Sequence, residues 1–387
     1  MGSIMNNQIS IFILLLSMAA IVQCSVPKTK EERTKSFLSE FESLLEGKTD
    51  FKGGQFLVSI GPEEHFGSYG QSSPKDAFHS ASVGKLFTMV LIRKLSEKGK
   101  ISLNDPIHKY LNKELLKDLF VYEGIDYASE VTVEQLLSHT SGVNDYFESK
   151  GIDGIDFIQI IQTKPNIKFE PVDLISYTQK NQKASFPPGK GFLYSDTGYI
   201  LLGLIIESIT KQKFENVLTK EILKPLDMLD TYMYKRSTPL SGKLLPISPI
   251  YLGTVEVTNF DSVTADWAGG GLITTTNDLL KFQKAVWNGK LLSNSKPLDW
   301  IGNHSFHTGI LYGSGFMTID YGEIFFLLRG TPKMYGHSGI LGTLLFYNPE
   351  LDLHVVANFG GSNQLESSFR WMLHVVRIAK EINISHE

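Results

Sequence analysis

Cysteine is almost missing from this chain: of 387 residues only Cys24 carries a thiol. A disulfide framework is therefore excluded, and a chain this long can stand without one. A surplus of charge of either sign is missing too. Lys and Arg number 37 against 41 Asp and Glu, a formal net charge of -4. That balance gives neither the basic surface expected of a nucleic-acid binder nor the acidity of a solvated tail. The motifs of several large enzyme classes are absent as well. There is no P-loop and no dinucleotide fingerprint, which argues against a bound cofactor. The chain has no G-x-S-x-G elbow; Gly336-His337-Ser338-Gly339-Ile340 comes nearest and fails at its last position. Among ten histidines only His304 and His307 have a short ligand-like spacing. They lack acidic partners and the H-E-x-x-H pattern, so they read as loop residues and no metal site is expected. Internal repeats and long linkers are also absent.

An apolar run at residues 9–22 is about 14 residues long, short of the roughly 20 that a spanning helix needs and suited to the core of a signal peptide. Residues 1–8 ahead of it contain no Lys or Arg, so the α-amino group is the only charge there. Cys24 stands where the run ends. Two processing routes fit: a lipoprotein junction at Ile21-Val22-Gln23-Cys24 with lipid attached to Cys24, or ordinary cleavage after Cys24. Both make residues 1–24 a signal and residues 25–387 an exported chain, destined for the periplasm, the exterior or a membrane-anchored lipoprotein.

The rest of the chain carries chemistry in three separated places. Ser82-Val83-Gly84-Lys85 sets a hydroxyl and an amine one helical turn apart. The same S-x-x-K spacing recurs at Ser72 to Lys75 and Ser293 to Lys296, but only Ser82 opens a run with apolar residues at helical period: Val83, Leu86, Phe87, Val90, Leu91 and Leu95. An N-cap serine followed by a snorkelling lysine gives the same tetrad. On a helix buried nearly all round, however, Lys85 would sit in a low-dielectric setting that favours loss of its proton. Further along, Tyr194-Ser195-Asp196 follows Pro187-Pro188-Gly189 and precedes an apolar helix. Last, Gly336-His337-Ser338-Gly339 leads into an apolar run at residues 341–347 that reads as a buried strand, with Asn348-Pro349 as a turn and residues 351–358 returning.

Serine helix, tyrosine loop and glycine-rich strand, in that order, resemble the serine β-lactamase and penicillin-binding protein superfamily, which includes DD-carboxypeptidases, class C β-lactamases, D-aminopeptidases and related esterases. Val131 to Gly142, Asp266-Trp267-Ala268-Gly269-Gly270-Gly271-Leu272 and Tyr312-Gly313-Ser314-Gly315 are similar to further segments of the same superfamily, and the likeness spans about residues 50–360. The resemblance implies that Ser82 attacks, that Lys85 and Tyr194 share its proton, and that the N–H groups of Ser82 and Ile340 form the oxyanion hole. Asp196, His337, Ser338, Gly339 and Ile340 would then border the substrate, with His337 hydrogen-bonding the tyrosine or a bound carboxylate. His139, in Leu137-Ser138-His139-Thr140, more often makes structural hydrogen bonds.

Two positions depart from the commonest pattern. Asp196 replaces an Asn, so when ionised it accepts hydrogen bonds but cannot donate to a substrate carbonyl. It would also hold Lys85 as an ammonium and leave more of the proton transfer to Tyr194. His337 replaces the lysine of most β-lactamases and is mostly neutral at pH 7. Peptidase or esterase activity on a small amide or ester, through an acyl-enzyme, therefore ranks above β-lactamase activity. A binding or sensor protein that retains the pocket without turnover is the alternative from another class.

The expected fold is α+β and β-lactamase/transpeptidase-like: an antiparallel sheet built from both ends of the chain, covered by terminal helices, beside an inserted helical lobe. The sheet lobe would take residues 25–120 and 290–387, and the insert residues 121–289. Helices are expected at residues 29–46, 80–98, 199–209 and 364–382, a hairpin at 55–60 and 64–69, and a strand at 323–329. Ser82 would lie where the lobes meet, a common place for a ligand cleft. The expected partner is a small-molecule or peptide substrate.

Overall fold

The computed structural model describes residues 27–384 apart from residues 49–50, 153 and 294–295. The expected signal, with Cys24, lies outside the described residues.

Helix α1 (Lys30–Leu45) is started by a capping box in which the Thr29 side chain accepts from the Glu32 N–H and Glu32 reaches back to the Thr29 N–H. Its Phe37, Phe41 and Leu45 follow one helix face and are fully buried. The hairpin of β1 (Gly53–Ile60) and β2 (Glu63–Gly70) comes next. Helix α2 (Lys85–Glu97) begins directly after a single 3₁₀ turn, Ala81–Gly84. Helices α3 (Pro171–Asn181) and α4 (Asp196–Thr210) belong to the helical lobe, and α5 (Thr276–Trp287) follows them. The chain then lays down β3 (His304–His307), β4 (Ile310–Tyr312), β5 (Met317–Ile319), β6 (Met334–Gly339), β7 (Thr343–Asn348) and β8 (Leu353–Asn358), and ends in α6 (Leu365–Ile384).

These strands form one antiparallel sheet of eight in the order β3-β4-β5-β6-β7-β8-β1-β2. The late strand β8 pairs with the early strand β1, placing Val356 opposite Leu57 and Val355 opposite Val58. That pairing joins the two ends of the chain. One face of the sheet carries α1 and α6. Trp371 of α6 donates its indole N–H to the Phe37 carbonyl at 2.9 Å and packs against Phe41, Phe56 and Phe359. Each of these fully buried rings contributes about 1.5–3 kcal/mol relative to exposure. The fold is therefore of the α+β class.

Four expectations about elements change. The run at residues 323–329 is helical: the Asp320 side chain accepts from the N–H groups of Gly322 and Glu323, which nucleates a turn at Tyr321–Ile324 and a second at Phe326–Leu328. Helix α5, expected inside the inserted lobe, lies against the sheet, with Gln283 hydrogen-bonded to His354 at 2.9 Å and Phe282 stacked on Phe87 at 3.8 Å. The strand expected from residue 341 starts at Thr343, because Ile340, Leu341 and Gly342 make the turn and the Gly336 to Gly339 motif is itself strand. Finally, His304 and His307 lie on the edge strand β3 and not in a loop.

Candidate active site

Ser82 is held by a strained turn. Ala81, just before it, has φ 46°, a left-handed conformation that costs a non-glycine residue roughly 1–3 kcal/mol and persists only where surroundings enforce it. The enforcing contacts come from two directions. Thr343 of β7 donates its hydroxyl to the Ser80 carbonyl at 3.0 Å, and the Ser80 hydroxyl donates to the Gly270 carbonyl at 2.6 Å. The glycine run behind Ser82 is needed for closeness: a Cβ on Gly270 would lie 2.2 Å from the Ala81 carbonyl oxygen, and one on Gly84 would lie 2.6 Å from the Gly270 Cα. On the sheet side, a Cβ on Gly339 would meet the Ala81 Cβ at 2.8 Å. Ser82 is thereby wedged between strand β6 and the Gly269 to Gly271 segment.

Lys85 is fully buried, as the apolar pattern of α2 predicts. Its Nζ donates to Ser82 Oγ at 2.9 Å and to the Gly269 carbonyl at 3.0 Å, and forms an ion pair with Asp196. Burial alone would lower the lysine pKa. The carboxylates of Asp196 and Asp266 outweigh it, so the net direction is upward and Lys85 is an ammonium at rest. The Tyr194 ring lies 5.0 Å from Lys85 Nζ. Burial, followed by the charge on Asp196, pushes the phenol well above its ordinary pKa, so Tyr194 keeps its proton.

Tyr194 and Asp196 are placed by two loops that zip together. The Gly189 N–H donates to the Thr140 carbonyl and the Leu193 N–H to the His139 carbonyl, at 2.8 and 3.0 Å. His139 Nδ1 accepts from the Ser195 N–H at 3.0 Å while its ring lies 4.3 Å from that of Tyr194. Burial, with Lys85 adding to it, keeps His139 neutral. It acts as a strut, in the structural role expected of it. Asp145 accepts from the Asp196 and Glu148 N–H groups at 2.8 and 2.6 Å. Burial and the Asp196 charge raise its pKa to about 8. Asp266 is raised to about 7, chiefly by burial. Asp145 carried no sequence signal, since it follows the Ser141-Gly142 segment without any pattern of its own.

Ser82, Lys85, Tyr194 and Asp196 thus meet in one place. Ser338, Gly339 and Ile340 run alongside on β6 and its turn. Among the described residues the Ile340 N–H donates to no other backbone group, which leaves it free for an oxyanion. His337 is turned inward and fully buried. Its Nδ1 donates to the Ser338 carbonyl at 2.6 Å, so Nε2 is the acceptor for the Tyr312 hydroxyl at 3.0 Å. Burial depresses its pKa to about 3, leaving it neutral. Its ring lies 6.2 Å from that of Tyr194, centroid to centroid, and the expected hydrogen bond goes to Tyr312 instead. Tyr312 stood in a recognised motif, yet nothing in the sequence paired it with His337.

This geometry has a counterpart among known proteins. Residues 40–369 match the Beta-lactamase family model. The chain belongs to that family. Membership places it among the serine hydrolases of the β-lactamase and penicillin-binding protein superfamily, with their transpeptidase-like fold. It is similar to penicillin-binding protein 4* of Bacillus subtilis, 26% identical over 332 residues, covering 80% of this chain and 67% of that protein. It is also 28% identical over 310 residues to the Staphylococcus aureus protein flp, covering 74% of this chain and 56% of flp, so it spans little more than half of that relative. Among solved structures, D-amino acid amidase from Ochrobactrum anthropi superposes with a TM-score of 0.74 at 19% identity, covering 91% of this chain and 99% of the amidase.

Proposed function

We propose that the protein hydrolyses small amides or esters through an acyl-enzyme on Ser82. The observation that carries the reading is that Ser82 Oγ accepts from Lys85 Nζ at 2.9 Å, with the Tyr194 ring 5.0 Å from the same Nζ. In the reactive form Lys85 has lost its proton. Ser82 attacks the carbonyl carbon, its proton passes to the Lys85 amine, and the oxyanion is received by the N–H groups of Ser82 and Ile340. Tyr194 gives its proton to the departing amine or alcohol and is reprotonated by Lys85, so the proton from Ser82 ends on the leaving group. Water then repeats the path in reverse and frees Ser82.

Charge favours amides and esters over anionic β-lactams. Lys85 is the cation at the nucleophile and is already paired with Asp196, while His337 is neutral and buried. A substrate carboxylate would find little compensation for its lost water. The similarity to a D-amino acid amidase supports an amide substrate. We also read residues 1–24 as an export signal, on the strength of the apolar run that ends at Cys24; mass spectrometry of the secreted protein would show cleavage beside Cys24.

The test is labelling by a fluorophosphonate probe together with turnover of p-nitrophenyl esters, D-amino-acid amides and nitrocefin, with Ser82→Ala as control. Ser82-dependent labelling and turnover of esters or amides support the reading. Labelling without turnover identifies a binding protein, and preferential turnover of nitrocefin identifies a β-lactamase.

A further inference from the structure

Next to Ser82 lies a small cleft. Ala81, which precedes the nucleophile, and Ile340, of the turn after β6, are among the residues that line it. Phe147, Ile161 and Val263 from the helical lobe, with Leu252, Val257 and Leu341, make the walls apolar. Only two polar side chains line it, His79 and Asp266. Asp266 is accounted for by its charge interaction with Lys85. His79 is not accounted for. It is 3% exposed, and its Nδ1 accepts from the Ala81 N–H at 3.1 Å. Burial holds the ring neutral, with its pKa pushed down to about 4, so Nε2 carries the hydrogen. That N–H has no partner among the described residues. A buried donor left unmatched costs roughly 1–3 kcal/mol, and such groups call for an explanation.

Granting the acyl-enzyme reading, we propose that this cleft is the acyl-group subsite, and that it selects a short apolar acyl chain carrying one hydrogen-bond acceptor, which takes the His79 Nε2–H. Ala81 precedes the nucleophile and Ile340 belongs to the turn after β6, so the cleft they line adjoins the place of the scissile carbonyl. A purely alkyl chain fills the walls but seals the N–H away from any acceptor. A chain with an ether or keto oxygen satisfies it. Discrimination therefore comes from the penalty on the chain that lacks the acceptor.

The test pairs p-nitrophenyl esters of equal shape: pentanoate with 3-methoxypropanoate, and butyrate with methoxyacetate, each kcat/KM divided by the ester's rate with hydroxide. The ether member of at least one pair should be favoured roughly five-fold or more. In His79→Leu that preference should vanish. Val257→Phe, which fills the cleft, should lower the ratio of pentanoate to acetate turnover. Equal rates within both pairs, or a preference that survives in His79→Leu, overturns the proposal. Loss of all Ser82-dependent turnover would instead overturn the acyl-enzyme reading. A second measurement stands apart from turnover: in isotopically labelled Ser82→Ala protein, the His79 Nε2–H resonance should shift on adding 3-methoxypropanamide and not on adding pentanamide. No shift with either amide also overturns the subsite.

Discussion

Replacing Asp196 by Asn removes one charge from the ion pair with Lys85 and changes almost nothing in shape. The consequence can be sized. Two unit charges about 4 Å apart at an effective dielectric of about 20 interact by about 4 kcal/mol. With that attraction gone, burial becomes the dominant influence on Lys85, opposed by Asp266 and, more weakly, Tyr199. The lysine pKa should therefore fall. The sign of the effect on rate follows: the reactive form has a neutral Lys85, so activity rises as pH climbs through the lysine pKa. In the parent protein that rise lies in the alkaline range, because Lys85 is raised above its ordinary value. In Asp196→Asn it should move toward neutrality, and Ser82 should acylate several-fold faster at pH 7. The assay is kcat/KM for p-nitrophenyl acetate, and the labelling rate with a fluorophosphonate, each from pH 5 to 10. A rising limb that stays in place in the variant would refute the idea that Asp196 sets the proton on Lys85.

Three further outcomes are expected. Asp266, with its folded pKa raised to about 7, stabilises the fold fully below about pH 4, its unfolded value, and that contribution is lost as pH rises to 7; Asp266→Asn should therefore gain thermal stability relative to the parent between pH 4 and 7, and a difference that is flat with pH would count against a buried, raised carboxyl. Thr343→Val removes the 3.0 Å bond to the Ser80 carbonyl and leaves it only the Val83 N–H at 3.3 Å, which should cost about 0.5–1.5 kcal/mol in urea unfolding. Gly270→Ala would put a Cβ 2.2 Å from the Ala81 carbonyl oxygen, so the nucleophile turn must move and Ser82 labelling should slow by about a hundred-fold; an unchanged labelling rate in folded protein would show that the turn is not held from that side.

Much of this site was legible before any coordinates. The S-x-x-K spacing with a helical apolar period fixed which of three serines heads a buried helix, since a lysine on an all-apolar helix has no route to solvent. Tyr194 and Asp196 could be read from a Pro-Pro-Gly turn ahead of an apolar helix. What stayed hidden was what long-range packing supplies: Asp145 beneath the Asp196 amide, Tyr312 against His337, and a His79 Nε2–H left without a partner among the described residues. Each is a single polar residue whose meaning depends on what lies across a gap of up to many tens of residues. Local pattern carries no such information. The misread strand at residues 323–329 has the opposite cause, a local signal overlooked, because Asp320 caps a turn and overrides the β-propensity of the apolar run that follows.

The linear order of residues decided the chemistry available: a hydroxyl, an amine, a phenol and a carboxylate, each on a segment whose period or turn residues fix its local conformation. Only the folded chain decided their protonation. Whether Lys85 is an ammonium, whether His337 is neutral and inward, and whether Asp266 holds its proton depend on burial and on charges brought within a few ångströms by long-range packing. Those are properties of a shared low-dielectric space, which no stretch of sequence possesses until the sheet and the helical lobe close around it.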